Sequence, residues 1–181
     1  LTTGLSYTTP SLTATTTYYI TTLNSSTGAE SSPRTAITAT VNAVVGNPSS
    51  PVGASRCGSG AVTLSATVGS NGNTLRWYAN SSGGSVLHTG TSYSPSVSAT
   101  TTFHVSSFNS TTQCESGRIA VTATVNPLPT APILSDRNIC GSGTTMFSWT
   151  PTGANLTLRW YNQSSGGSLL QTGNTYTTPS L

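Results

Sequence analysis

The chain repeats itself. The segment LRWYANSSGGSVLHTGTSY at 75–93 returns as LRWYNQSSGGSLLQTGNTY at 158–176, which sets Trp77 and Trp160 83 residues apart. YTTPSLTATTTYYI at 7–20 matches YSPSVSATTTFHV at 93–105, and RTAITATVN at 34–42 matches RIAVTATVN at 118–126. Solenoid repeats recur every 20–50 residues. A period above 80 is long enough for each unit to enclose a core of its own. The chain is therefore an array of small domains rather than one enzyme-sized body, and its function belongs to the array.

The register divides the chain into the later half of one repeat (1–45), a complete repeat (46–128) and the early half of a third (129–181). The closing TGNTYTTPSL matches TGLSYTTPSL at 3–12, so the sequence starts and stops at the same point of the unit. We read this as a window on a longer protein whose neighbouring sequence completes both halves. The alternative is a homopolymer in which half-domains of adjacent chains complete each other. The joints, VVGNPSSP at 44–51 and NPLPTAP at 126–132, carry spaced prolines that favour extended backbone, so they are short and semi-rigid.

Apolar residues alternate with hydroxyl residues, as in Ile119-Ala120-Val121-Thr122-Ala123-Thr124-Val125. That period of two, with β-branched Thr on the polar side, argues strand. Turn clusters separate the strands, notably GSNGN at 69–73, SSGG at 81–84 and NSTT at 109–112. The expected fold class is all-β: tandem immunoglobulin-like antiparallel sandwiches, each of six or seven strands. Charged residues make up 5% of the chain, with six Arg and no Lys. The Arg residues are scattered, which excludes the clustered basic footprint of a nucleic-acid binder. No apolar run is long enough to span a membrane.

Catalysis is not expected. Asp136 lies near a joint, and neither His88 nor His104 recurs in the other units. No metal or cofactor is expected either, because each repeat offers about one carboxylate. Cys57-Gly-Ser-Gly recurs at Cys140, and Cys114 stands between the Phe103 and Ile119 strands. Within the complete repeat Cys57 and Cys114 are the only cysteines available to each other, so they are expected to be bridged, with Cys140 unpaired; free thiols are the alternative. Ala29 occupies the Cys114 position in the first unit. Trp77 and Trp160 sit in phase with inward Leu75 and Leu158 and are expected in the core. Arg76 and Tyr78, like Arg159 and Tyr161, should then face outward as Arg-aromatic pairs. Trp149 replaces Ala66 of the complete repeat, a change a core accepts only by repacking. It stands as a candidate interface residue.

The succession C-G-x-G, L-R-W-Y, S-S-G-G, T-G-x-x-Y, P-S-L, A-T-T-T-Y-Y-I, C-E-S and R-x-A-V-T-A-T-V-N-P resembles the immunoglobulin-like tandem repeats of giant Bacteroidetes cell-surface adhesins. These include gliding-motility adhesins of the SprB type and other type IX-secreted proteins. The resemblance implies a non-enzymatic stalk or adhesin filament at the bacterial cell surface. Its partners would be neighbouring repeats and surface polysaccharide or substratum. It carries over Cys57 and Cys114 as the bridging pair and Trp77 and Trp160 as core residues. The competing reading is a glycan-binding or spacer module of a secreted polysaccharide-degrading enzyme. A binding module would expose coplanar aromatics in each unit; a spacer would bury its Trp.

Overall fold

Strands form where apolar and β-branched hydroxyl residues alternate. The computed structural model describes residues 4–181 and contains strands and turns but no helix among them. The first three residues of the leading half-repeat lie outside the described residues. The chain divides into one unit ending at Asn126 and a second from Pro127 to Leu181.

The first unit begins with an antiparallel hairpin of β1 (Thr16–Ile20) and β2 (Thr35–Ala39), in which Tyr18 pairs with Ile37. The complete repeat follows as β3 (Ser49–Val52), β4 (Ala54–Cys57), β5 (Gly60–Ala61), β6 (Leu64–Thr67), β7 (Thr74–Tyr78), β8 (His88–Thr89), β9 (Ser92–Tyr93), β10 (Ser96–Val97), β11 (Thr101–Asn109), β12 (Cys114–Glu115) and β13 (Ile119–Asn126). One sheet runs β4-β13-β11-β7-β8, with β12 on the edge of β11. The opposing sheet is β3-β6-β9, and β5 pairs with β10. This is an immunoglobulin-like sandwich. The strand pieces outnumber the six or seven expected because single strands break where they change sheets. β3 pairs antiparallel with β6, whereas β4 pairs parallel with β13. The break between them is Gly53, where a Cβ would fall 2.5 Å from the Thr122 carbonyl oxygen. Only a residue without a side chain lets the strand cross so close to its neighbour.

The core closes around Trp77, which is fully buried and donates its indole N–H to the Gly90 carbonyl at 2.8 Å. Val62, Leu64, Ala66, Leu75, Val97, Phe103, Val105, Val121 and Ala123 complete it. Tyr93 packs beside Trp77 and meets Phe103 edge-on. All of these residues lie within one repeat, so the sandwich has a core of its own.

The flanking segments, 4–45 and 129–181, differ from this. Tyr7, Ile20 and Ile37 are more than half exposed. By the repeat register they stand where Tyr93, Val105 and Val121 stand in the complete repeat. The second unit contains β14 (Met146–Ser148), β15 (Arg159–Tyr161), β16 (Leu169–Thr172) and β17 (Thr175–Thr177), paired β14-β17 and β15-β16. Trp160 repeats the local setting of Trp77. Its indole N–H donates to Gly173 at 2.9 Å, and Tyr176 stacks on it at 5.6 Å. It is only half-buried, which corrects its expected place in a core. β11, which flanks Trp77 in the sheet of the complete repeat, and β13 beyond it have no counterpart among the described residues of this unit.

Candidate functional site

The two histidines of the complete repeat belong to different strands. His88 is exposed and stacks on Tyr93 at 5.3 Å between ring centres. His104 lies on the outer face of β11, and Asp136 belongs to the second unit. Among the described residues no three of His, Cys, Asp and Glu gather where they could hold a metal ion.

Polar side chains instead converge on the outer face of the larger sheet. The register between β7 and β11 pairs Arg76 with Ser106 and Tyr78 with His104. Alternation then turns Arg76 and Tyr78 away from the core that Trp77 enters. The Glu115 carboxylate arrives from β12 opposite Phe108. It accepts hydrogen bonds from the Tyr78 hydroxyl, the Ser106 hydroxyl at 2.6 Å and the Arg76 guanidinium at 3.0 Å. Burial alone would raise the Glu115 pKa. Its bonds from Ser106, Tyr78 and Arg76, with the charge of Arg76, outweigh that and hold it below the ordinary carboxylate value. Tyr78 is pushed up by burial, by its bond to Glu115 and by the Glu115 charge, against smaller opposing effects of Ser106 and Arg118.

Arginines cap both ends of the cluster. Arg76 lies 3.2 Å over the Phe108 ring, and Arg118 lies 3.2 Å over the Tyr78 ring. Arg118 also donates to the Asn80 and Gly83 carbonyls, at 2.9 and 2.7 Å. The expected outward pair of Arg76 with Tyr78 is therefore corrected: Arg118 covers Tyr78, leaving it 3% exposed. Glu115, Ser106 and Arg118 were missed in the sequence. The available signal was that Glu115 is the one acidic residue in 46–128.

A second construction occupies the leading end of the sandwich, where the joint arrives. Asn71 donates its side-chain amide to the Val44 carbonyl, and the Gly46 N–H donates to Ser70, both at 2.8 Å. Val45 and Pro48 are buried. Asn109 in turn donates to the Asn71 carbonyl at 2.7 Å, tying the turn beneath the joint to the end of β11. A Cβ on Gly69 would fall 2.2 Å from the Gly46 carbonyl oxygen and 2.4 Å from that of Asn47. Gly69 lets the joint lie against the domain.

The cysteines mark opposite ends of the same sheet. Cys114 pairs with Asn109 at the leading end. Cys57 pairs with Asn126, the final residue of β13, at the trailing end. Since Ala123 pairs with Thr101, most of the length of β11 separates them. At ~3.3 Å per residue that is roughly 30 Å. A disulfide needs Cα atoms within about 7 Å. A bridge between Cys57 and Cys114 within one repeat is thus corrected. Cys57, Cys114 and Cys140 are free thiols, with Cys57 and Cys140 exposed and Cys114 half-buried.

Trp149 is half-buried at the end of β14 and lines an open cleft with Ile133, Leu134 and Phe147. The leading hairpin has an apolar groove of Leu5, Tyr7, Tyr18, Ile20 and Ile37. No helix among the described residues is long and apolar enough to cross a membrane.

A family model described as Ig-like domain CHU_C associated matches residues 1–42, 47–127 and 129–181. No curated protein matches the sequence.

Proposed function

The chain belongs to the CHU_C-associated Ig-like domain family, and we propose that it is a stretch of stalk in a large secreted adhesin of the bacterial cell surface. In this reading 1–45, 46–128 and 129–181 are the later half of one repeat, a complete repeat and the early half of a third. The repeats carry no reaction. They set the distance between the cell and whatever the protein attaches to, in gliding or in surface attachment. Export by a type IX route follows from the resemblance that the repeat motifs carry.

The observation that supports this reading is the docked joint. A module that binds ligand independently is served by a loose tether. A spacer needs the connection between units to be held, and here Val44 and Gly46 are bonded to the Asn71 and Ser70 turn. The full burial of Trp77 points the same way, because a glycan-binding aromatic must present its face to solvent.

Antibodies raised against the chain and applied to intact cells of the source organism test the proposal. Surface labelling that an external protease removes is expected. Labelling seen only after the cells are lysed would sink it. Saturable binding of the isolated chain to soluble polysaccharides would instead favour the glycan-binding module.

A further inference from the structure

The two cysteines of the complete repeat have no use for each other, yet each stands beside a joint. Cys57 is the strand partner of Asn126, the last residue before the outgoing joint. The Gly58 N–H donates to the Asn126 carbonyl at 2.9 Å, which fixes the cysteine there, and Cys57 is exposed. Cys114 is the strand partner of Asn109, whose side chain holds the turn that receives the incoming joint.

The repeat register connects these two facts. Asn42 is the counterpart of Asn126. A cysteine at the Cys57 position of a preceding repeat would therefore stand beside Asn42. From Asn42 the chain runs two residues to Val44, whose carbonyl is held by Asn71, whose own carbonyl is held by Asn109. Two residues of backbone and two side-chain hydrogen bonds thus lead from the site of one cysteine to the strand partner of the other.

We propose that these cysteines form disulfides across the joints, the Cys57 position of one repeat bonding to the Cys114 position of the repeat that follows. The inference rests on the reading that complete repeats succeed one another; it does not depend on where the protein is placed in the cell. Each bond joins two Sγ atoms. Both thiol protons leave, and the two electrons reduce a partner disulfide, either a small-molecule disulfide or an oxidised dithiol protein, to two thiols. Where Ala29 replaces the Cys114 counterpart, the scheme leaves that joint uncrosslinked and the preceding repeat's cysteine free.

The test uses a protein in which residues 43–126 occur twice in succession, so that Asn126 of the first copy is followed by Ala43 as Asn42 is in this chain. Each copy brings a complete core, so each folds. The probe is oxidised glutathione, read by thiol titration and by peptide mapping without reductant. The four thiols are expected to fall to two, with one bond, Cys57 of the first copy to Cys114 of the second. Cys57→Ser in the first copy should abolish the bond, and the same change in the second copy should leave it intact. Retention of four thiols, a Cys57–Cys114 bond within one copy, or bonds only between separate molecules would each overturn the proposal. A single copy of 43–126 should keep both thiols under the same treatment.

Discussion

Removing the Glu115 carboxylate should destabilise the complete repeat by more than a surface residue normally does. Glu115→Ala strips the acceptor from two buried donors, Tyr78 and Ser106, which are 3% and 0% exposed. Each such orphaned donor costs about 1–3 kcal/mol. The ion pair with Arg76 adds no more than ~1 kcal/mol, because both side chains remain more than a quarter exposed. Water entering through the exposed quarter of the Glu115 side chain offsets part of the upper range, so the expected loss is about 2–4 kcal/mol. Urea unfolding of residues 43–126, followed by fluorescence, reads it directly. With a slope of ~1 kcal/mol per molar for a domain of this size, the midpoint should fall by about 2–4 M. Glu115→Gln keeps an acceptor oxygen and loses the charge, so it should lose roughly 1 kcal/mol. The pH dependence follows from the direction of the shift. A carboxylate held below its ordinary value contributes stability above its unfolded pKa, and that contribution is lost as pH falls through the lower folded value. Tyr78, raised in the fold, contributes in the opposite sense, with stability lost as pH rises through its folded value. Arg76, Arg118 and His104, the other ionisable side chains on this face, are common to the parent and to Glu115→Gln, so they do not distinguish the two. The acid-side slope of the parent repeat should therefore flatten in Glu115→Gln. A midpoint for Glu115→Ala within about 0.5 M of the parent would refute the account of the cluster.

Gly69→Ala places a methyl group against the carbonyls of Gly46 and Asn47, so the joint should lift off; faster hydrogen exchange at the Gly46 amide is the readout. Asn71→Ala removes the bond to Val44 and should accelerate the same amide while lowering stability by about 1 kcal/mol. Trp77→Ala should cost about 3–5 kcal/mol by calorimetry or denaturant, whereas Trp160→Ala, in a half-exposed setting, should cost the second unit clearly less. Arg118→Ala should uncover the Tyr78 ring and lower stability by roughly 0.5–2 kcal/mol, with a red-shifted or quenched tyrosine signal as a second readout.

The all-β sandwich was legible because its determinants are local. Alternation in β13 names its inward residues, and the turn clusters bound the strands. Trp77 was legible for the same reason, being in phase with Leu75. The position of the cysteines was not. Sequence distance ranks Cys57 and Cys114 as available to each other. The parallel pairing of β4 with β13 sends Cys57 to one end, while β12 on β11 holds Cys114 at the other. Such a pairing depends on a strand crossing between sheets at Gly53, which no periodicity announces. The Glu115 cluster was hidden for a related reason. Arg76 and Tyr78 are two residues apart and invite pairing, yet their partners, Phe108 on β11 and Arg118 just ahead of β13, lie 30 or more residues along the chain. Trp160 was misjudged because burial belongs to a finished sandwich, not to a motif.

The crossing of the first strand also has a mechanical consequence. Tension carried along the chain enters the complete repeat at Val45, ahead of β3, and leaves after Asn126, at the end of β13. From the pulled end the chain runs through β3 and Gly53 into β4, which lies parallel to the strand that ends at the other, over Ala54–Cys57 and Ala123–Asn126. Opposed forces on two parallel neighbours slide them past each other. The rungs of that ladder are then loaded together, in shear, and must break together. Had the first strand stayed antiparallel to its partner at the site of loading, the same pull would have peeled the rungs one by one. The repeat is thus shaped to yield late and abruptly under load, and its rate of forced unfolding is set by that first rupture.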